Sequence, residues 1–392
     1  MQKKLDANIW KFILLLITKK RIFAAILGVY YLSIPDVTTQ TIGTIILIGS
    51  IAGVLLEVPS GYVSDKLGHK QALVLSAVST FISTLFFLFA YETWHLVLGS
   101  VFLSISIAFF SGTGTAFMHE TLRALNKETE YAKIMGKSSS IGFAVPIILT
   151  VLVPFLMEIS YKAPFAVSLF LDFIGLLAAL SLTTPKVSAE QIKEIGITNF
   201  KQVVSSGLKI KFFRYAMFTA LLGAFIFGIG IFRAPYQSFL EIPVIWFGVL
   251  FGIGRGIASI LLFYSGKIKE QFTDIQSFFR FQIFLYVGLI LLLVATTNPW
   301  VVGTAFILIN GFQWGLSQVS RGFMLEIIGN SNFKATLISA ESLISKLLEG
   351  VISFGIGFAI TQSSYQTAFM LLGAGLLVVI IPQYLFLKKV TK

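Results

Sequence analysis

The sequence predicts an all-α integral membrane protein of twelve transmembrane helices, folded as two pseudo-symmetric six-helix bundles with both termini in the cytoplasm. Three observations carry this. Of the 392 residues, 56% are hydrophobic and only 12% charged; a globular domain has about 25% charged residues, so this chain lacks the polar surface to face water on all sides. Apolar runs of about 20 residues recur from end to end, each enough to cross ~30 Å of hydrocarbon as a helix with its backbone hydrogen bonds satisfied internally. Alternating ten-residue strand patterns are absent, which disfavours a membrane barrel. The third observation is where the charges fall.

The first half reads as spans 9–34, 41–62, 71–91, 95–122, 135–157 and 163–184. The first stops at Pro35, the fourth starts beside Trp94, and the sixth ends before Pro185. The second half reads as spans 214–238, 244–266, 278–296, 300–324, 335–361 and 364–386, with Pro243, Pro299 and Trp300 in its outer connections. Aromatic residues there fit an interfacial belt. Residues 1–184 form the expected N-terminal bundle and 214–392 the C-terminal bundle. Between them, 185–213 is a polar cytoplasmic linker. Its second half, Asn199 to Lys211, is basic and amphipathic and is expected to lie on the inner membrane surface as a short helix. A lipid-sensing role and a plain tether are both open for it.

The net charge of +12 could suggest nucleic acid, but its distribution points elsewhere. Lys66, Lys70, Arg123, Lys127, Lys133, Lys137, Lys186, Lys193, Lys201, Lys209, Lys211, Lys267, Lys269, Lys334, Lys388 and Lys389 fall in alternate connections. The intervening ones carry Asp36, Glu92, Glu158 and Glu241, with Lys162 as the basic exception. That is the positive-inside pattern, and it places both termini in the cytoplasm. The N-terminus has no small-residue cleavage site, so the first span is expected to stay as an anchor.

Gly61-Tyr62-Val63-Ser64-Asp65-Lys66-Leu67-Gly68-His69-Lys70 reads as a charged turn between the second and third spans. Here the chain resembles the major facilitator superfamily of secondary transporters, whose signature at this place is Gly-x-(apolar)-(small)-Asp-(Arg/Lys)-x-Gly-(Arg/Lys)-(Arg/Lys). Gly61, Ser64, Asp65, Lys66, Gly68 and Lys70 match, and His69 departs. The resemblance implies a gate latch centred on Asp65 and a central cavity lined by spans one, four, seven and ten. From the residues themselves, Gly61 is expected to let neighbouring helices approach and Gly68 to permit the turn. Two features of the superfamily's proton-linked drug exporters are missing: the Gly-Pro-rich run of the fifth span, where Gly142-Phe143-Ala144-Val145-Pro146 stands, and the arginine of the fourth, where Ser111-Gly112-Thr113-Gly114-Thr115 stands.

A charge at bilayer depth costs at least ~2.5–3.5 kcal/mol, so each one calls for a reason. Lys19-Lys20-Arg21 lies midway along the first span, where Lys20, Ala24, Leu27 and Tyr31 would share one helical face. That face is either a cationic wall for an anionic solute or a set of side chains snorkelling to the inner headgroups. Arg233, Arg255 and Lys346 lie in the seventh, eighth and eleventh spans. Lys346 can pair with Glu349 three residues on, whereas Arg255 has no acidic residue within a turn. Asn310, Trp314, Ser317 and Arg321 form a polar stripe on the tenth span, with Gln313 and Gln318 beside it. The stripe suits either hydrogen bonding and stacking on a solute or hydrogen bonds between helices. The expected solute site is therefore Lys20, Arg21, Tyr31, Arg233, Arg255, Asn310, Gln313, Trp314 and Lys346. Glu349, Glu120 and Asp172 are the candidates for ion coupling, with Glu57, His119 and Glu341 behind them.

No enzyme chemistry is expected. There is no cysteine and no Walker loop, and His69, His95 and His119 are not at metal-ligand spacing. Neither metal nor cofactor is expected. The reading is a secondary transporter acting as a monomer in the cytoplasmic membrane, in contact with lipid and not nucleic acid, on a small organic solute that is anionic or has an anionic head. Multidrug or lipid export is the alternative within the class; a channel or a transport-dead sensor is the alternative outside it.

Overall fold

The computed structural model of the chain describes residues 2–185, 208, 211–329 and 334–390, and every regular element among them is a helix. The amphipathic segment expected at 199–211 lies outside the described residues apart from Leu208 and Lys211. Ten stretches of helix are long and apolar enough to cross a membrane. Two expected spans, 9–34 and 300–324, are not among them.

The chain runs α1 (Gln2–Lys19), a 3-10 turn at Ile22–Ala25, α2 (Leu27–Leu32), α3 (Thr39–Leu67), α4 (His69–Leu88), α5 (Thr93–Phe110), α6 (Thr113–Ala124), α7 (Tyr131–Leu152) and α8 (Ala163–Ser181). It continues through α9 (Phe212–Ile231), α10 (Arg233–Phe239), α11 (Ile245–Phe263), α12 (Ser265–Glu270), α13 (Ile275–Ala295), α14 (Pro299–Gly315), α15 (Ser317–Ile328), α16 (Lys334–Gln362) and α17 (Tyr365–Val390). Five expected spans are interrupted: the first between Lys19 and Leu27, the fourth at Ser111–Gly112, the seventh at Phe232, the eighth at Tyr264 and the tenth at Leu316, and the fifth ends as a 3-10 turn at Val153–Glu158. Only Gly112, at φ +72°, shows a residue-level cause.

Helix α3 also corrects the reading of Gly61–Lys70. The residues from Gly61 to Leu67 stay helical, and the turn shrinks to Gly68 alone, at φ +100° and ψ 149°, before α4 starts at His69. Nothing between Gly61 and Leu67 forbids a helix, whereas that backbone conformation is open to glycine almost exclusively. Gly61 does not serve close packing here: a Cβ built on it would meet nothing within 4 Å.

The chain forms two compact units, Met1–Asp36 with Ile48–Gly196 and Val37–Leu47 with Ile197–Lys392. In the first, α1 packs on α7 and α8 while α4 packs on α5 and α8. Small residues allow the approach: a Cβ at Gly175 would lie 2.3 Å from Thr18 Oγ1, and one at Gly142 2.7 Å from Leu16 Cβ. Phe12, Leu15, Leu73, Phe117 and Met118 are at the centre of its core, and Phe23, Tyr30, Phe87 and Phe165 form a second cluster of rings. In the second unit, α9 packs on α16, α11 on α14 and α13 on α17. Its share of α3 sits there because Gly43 leaves room for the Ser353 carbonyl, 2.6 Å from a built Cβ, and Thr39 Oγ1 meets Thr361 Oγ1 at 2.8 Å.

Candidate functional site

A close helix approach in the second unit prepares its most distinctive site. A Cβ at Gly254 of α11 would lie 2.8 Å from Asn310 Nδ2 and 3.0 Å from the Ile307 carbonyl of α14. Gly311 and Gly315 of α14 admit Ile257 and Leu261 of α11 at 2.8 and 2.6 Å. With the helices this close, Asn310 Nδ2 donates to the Phe251 carbonyl at 3.3 Å. The Arg255 guanidinium then lies between two rings, 4.9 Å from the centroid of Phe251 and 4.4 Å from that of Trp314. Arg233, at the start of α10 and 7% exposed, lies 4.4 Å from the same Phe251 ring.

Two guanidiniums therefore share one aromatic ring. A cation–π contact supplies about 0.5–2 kcal/mol, which falls short of the several kcal/mol it costs to move each charge out of water. Among the described residues Arg255 forms no ion pair with a carboxylate. Arg255 is thus a partly desolvated cation held between aromatic rings, which is the environment an anionic group on a flat or apolar body would complete.

In the same unit, a cavity of about 210 Å³ is bounded by α9, α13, α14, α15 and α16. Its wall carries Thr219, Gln282, Tyr286, Gln313, Ser317, Ser320, Glu341 and Ser345, with Leu222, Ile226 and Leu316 as its apolar part. Gln282 is 8% exposed, yet its Oε1 has no hydrogen-bond partner among the described residues. Glu341 accepts from Ser345 Oγ at 3.5 Å. Ser317 was legible from sequence as part of the polar stripe of the tenth span and Gln313 as a residue beside it, whereas Thr219, Gln282 and Tyr286 were not singled out.

The first unit disposes of its charges differently. The chain breaks after Lys19, so Lys20, Ala24, Leu27 and Tyr31 do not share a continuous helical face. Lys20 is exposed, and Tyr31 is buried against Tyr30 and Phe87. The break lets Arg21 make a two-pronged pair with Asp172 of α8, Nη1 to Oδ2 at 3.0 Å and Nη2 to Oδ1 at 2.8 Å, while Thr84 Oγ1 accepts from Arg21 at 3.0 Å and donates to Asp172. Lys19 Nζ donates to the Ser76 carbonyl at 3.0 Å, to Thr80 Oγ1 at 2.7 Å and to the hydroxyls of Ser76 and Ser106.

The remaining candidates are dispersed. Asp65 and Lys66 are exposed, with Lys66 Nζ 5.7 Å from the Tyr62 ring, and Lys70 is half-buried. His69, the irregular member of the signature, ties three helices together: Nδ1 lies 2.9 Å from Ser64 Oγ of α3, Nε2 lies 3.2 Å from Glu120 Oε1 of α6, and Thr113 of α6 donates to Ser64 at 3.0 Å. Glu349 is partly buried on α16, within reach of the charges of Lys346 and Glu341.

Several solved structures share this architecture. A point variant of the nucleoside transporter NupG superposes with TM-score 0.81 at 14% identity, covering 97% of this chain and 98% of that one. A bacterial homologue of the human lysosomal transporter Spinster, in an inward-facing and occupied conformation, gives TM-score 0.67 at 14% identity over 97% and 95% of the two chains. A POT family transporter in complex with a thioalcohol-conjugated peptide gives 0.69 at 12% identity over 100% and 97%. No curated protein matches the sequence. The family profile described as Major Facilitator Superfamily matches residues 12–332, so the chain belongs to that superfamily of multi-pass membrane transporters and is a transporter, not an enzyme.

Proposed function

We propose that the chain is a secondary active transporter of a small organic solute bearing an anionic group, a free acid or an amphiphile with an anionic head, working by alternating access in the cytoplasmic membrane as a monomer. The observation that carries the reading is the pair Arg233 and Arg255 on the one ring of Phe251, with Trp314 covering Arg255. The interruptions add support. Non-helical backbone at membrane depth is tolerated where it lines a cavity, and the first, fourth, seventh and tenth spans are broken, as is the eighth near its end. NupG, named for nucleosides, and the POT transporter, solved with a peptide conjugate, show that the fold accepts bodies of different chemistry, so the assignment rests on the arginines. Asp65 serves as the gate latch and Glu349 as the group that exchanges a coupling proton.

The test is flux into liposomes holding purified protein, with a monocarboxylate and its neutral amide as paired probes. A hydrogen bond to a charged group contributes about 1.5–3 kcal/mol, so Arg255→Ala should lower carboxylate uptake roughly 10- to 100-fold and leave the amide nearly unchanged. Equal loss for both would make Arg255 a structural residue, and ungated ionic current would make the protein a channel.

A further inference from the structure

The anionic-head reading leaves the 210 Å³ cavity unexplained, although hydroxyls, carboxamides and a carboxyl stand in its wall. Its volume is below the roughly 300–1,000 Å³ of pockets that hold drug-sized ligands. An apolar chain would not be favoured there, because covering hydroxyls and carboxamides with hydrocarbon costs a few kcal/mol for each group left without a partner. Gln282, more than nine-tenths buried, is part of its wall, and its Oε1 is without a hydrogen-bond partner among the described residues.

What the wall offers is a mixture of acceptors and groups that both donate and accept. Glu341 accepts only, Gln282 and Gln313 do both through separate atoms, and Ser320 and Tyr286 do both through one oxygen. A ligand hydroxyl also does both, so neighbouring hydroxyls on a short carbon chain or ring match such a wall. Leu222, Ile226 and Leu316 supply an apolar side for the carbon–hydrogen faces of the same body. The charges that act on Glu341 include Arg321 of α15, and Lys346 and Glu349 follow on its own helix. Within the wall, Glu341 is the one charged side chain. It would turn an anionic group away, toward the arginines. Helix α14 links the two places: Gln313 faces the cavity, and the next residue, Trp314, covers Arg255.

We infer that this cavity holds the polyhydroxylated body of the solute, so that the transported class is the hydroxylated organic acids, of sugar-acid type. The inference rests on the proposed function for the anionic head and on the cavity alone for the hydroxylated body.

The experiment measures binding of four probes to the purified full-length protein in detergent by quenching of tryptophan fluorescence: gluconate, sorbitol, hexanoate and glucosamine. Gluconate is expected to bind at least roughly tenfold tighter than sorbitol and hexanoate, about 1.4 kcal/mol. Gln282→Leu should bring gluconate down to the level of hexanoate, and Arg255→Ala should bring it down to the level of sorbitol. Ser320→Ala, a milder change in the same wall, gives a smaller loss of the same kind and replaces Gln282→Leu if that variant does not fold. Equal binding of hexanoate and gluconate would overturn the inference and leave the anionic-head reading standing. Equal binding of sorbitol and gluconate would overturn the anionic head and leave the cavity assignment standing. Tightest binding of glucosamine would make the cavity a cation site, and failure of every hydroxylated probe to bind would also overturn the inference.

Discussion

The two units of this transporter each bury arginine in a mostly apolar setting, and they stabilise it by opposite means. In the first, Arg21 is matched by the Asp172 carboxylate, whose side chain is fully buried, and by Thr84; Lys19 beside it is held by the hydroxyls of α4 and α5. In the second, Arg255 lies between the rings of Phe251 and Trp314, and Arg233 shares one of those rings. A carboxylate and hydroxyls as partners make a charge part of the framework, even though Arg21 Nε has no hydrogen-bond partner among the described residues. A complement made mostly of rings leaves a positive potential that a ligand can use. The difference teaches that depth in the membrane alone does not identify a binding charge; what surrounds it does.

The largest effect is expected where the framework charge loses its partner. Asp172→Asn leaves Arg21 buried without its counter-charge, which should cost about 3–5 kcal/mol and sharply lower the thermal-unfolding midpoint of the purified protein. A paired replacement, Arg21→Met with Asp172→Leu, should recover most of that stability, since apolar residues of similar volume often replace a buried ion pair without loss. Binding of an anionic probe should be intact in the paired variant. A stable double variant that no longer binds would erase the contrast and place Arg21 in the solute site.

A smaller effect is expected at the aromatic arginines. Trp314 is 40% exposed, so its ring is available to a ligand as well as to Arg255. Trp314→Leu should weaken binding of a carboxylate probe by about 1–2 kcal/mol, roughly 5- to 30-fold in Kd, because the ring holds the guanidinium in place. Trp314→Phe should keep most of the affinity. If Trp314→Leu weakened a neutral probe by the same factor, the ring would be acting on the solute body and not through Arg255.

The transmembrane segments were legible because each is a long apolar run bounded by charge, proline or tryptophan. The interruptions were legible only in part. Gly112 could have suggested the break in the fourth span, but Phe232 and Leu316 carry no local signal, and their near-helical angles arise from the tertiary setting. Arg255 stood out as a lone charge in an apolar helix, whereas its rings did not, since contact between Arg255, Phe251 and Trp314 depends on how closely Gly254 lets two helices approach. In the first unit the sequence drew attention to Lys20 on an assumed continuous helix. The chain breaks one residue earlier, and Lys19 and Arg21 become the inward pair.

The two glycines of the Gly61–Lys70 signature refine the comparison further and carry the smallest expected effect. Gly68 holds φ +100°, and a Cβ there would also meet Gln71 Oε1 at 2.8 Å. Gly68→Ala should therefore cost about 1–3 kcal/mol of stability. Gly61 lies within the helix with open space around it, so Gly61→Ala should be neutral or stabilising by about 0.5–1 kcal/mol, through the better helix propensity of alanine. The measurement is the thermal-unfolding midpoint of each variant, followed by flux in liposomes. Full flux with Gly61→Ala would make this glycine a bystander of the signature. A stable variant with slowed flux would show that the empty space beside Gly61 is needed in another state of the transport cycle, which separates a glycine required by the turn from one required by the motion.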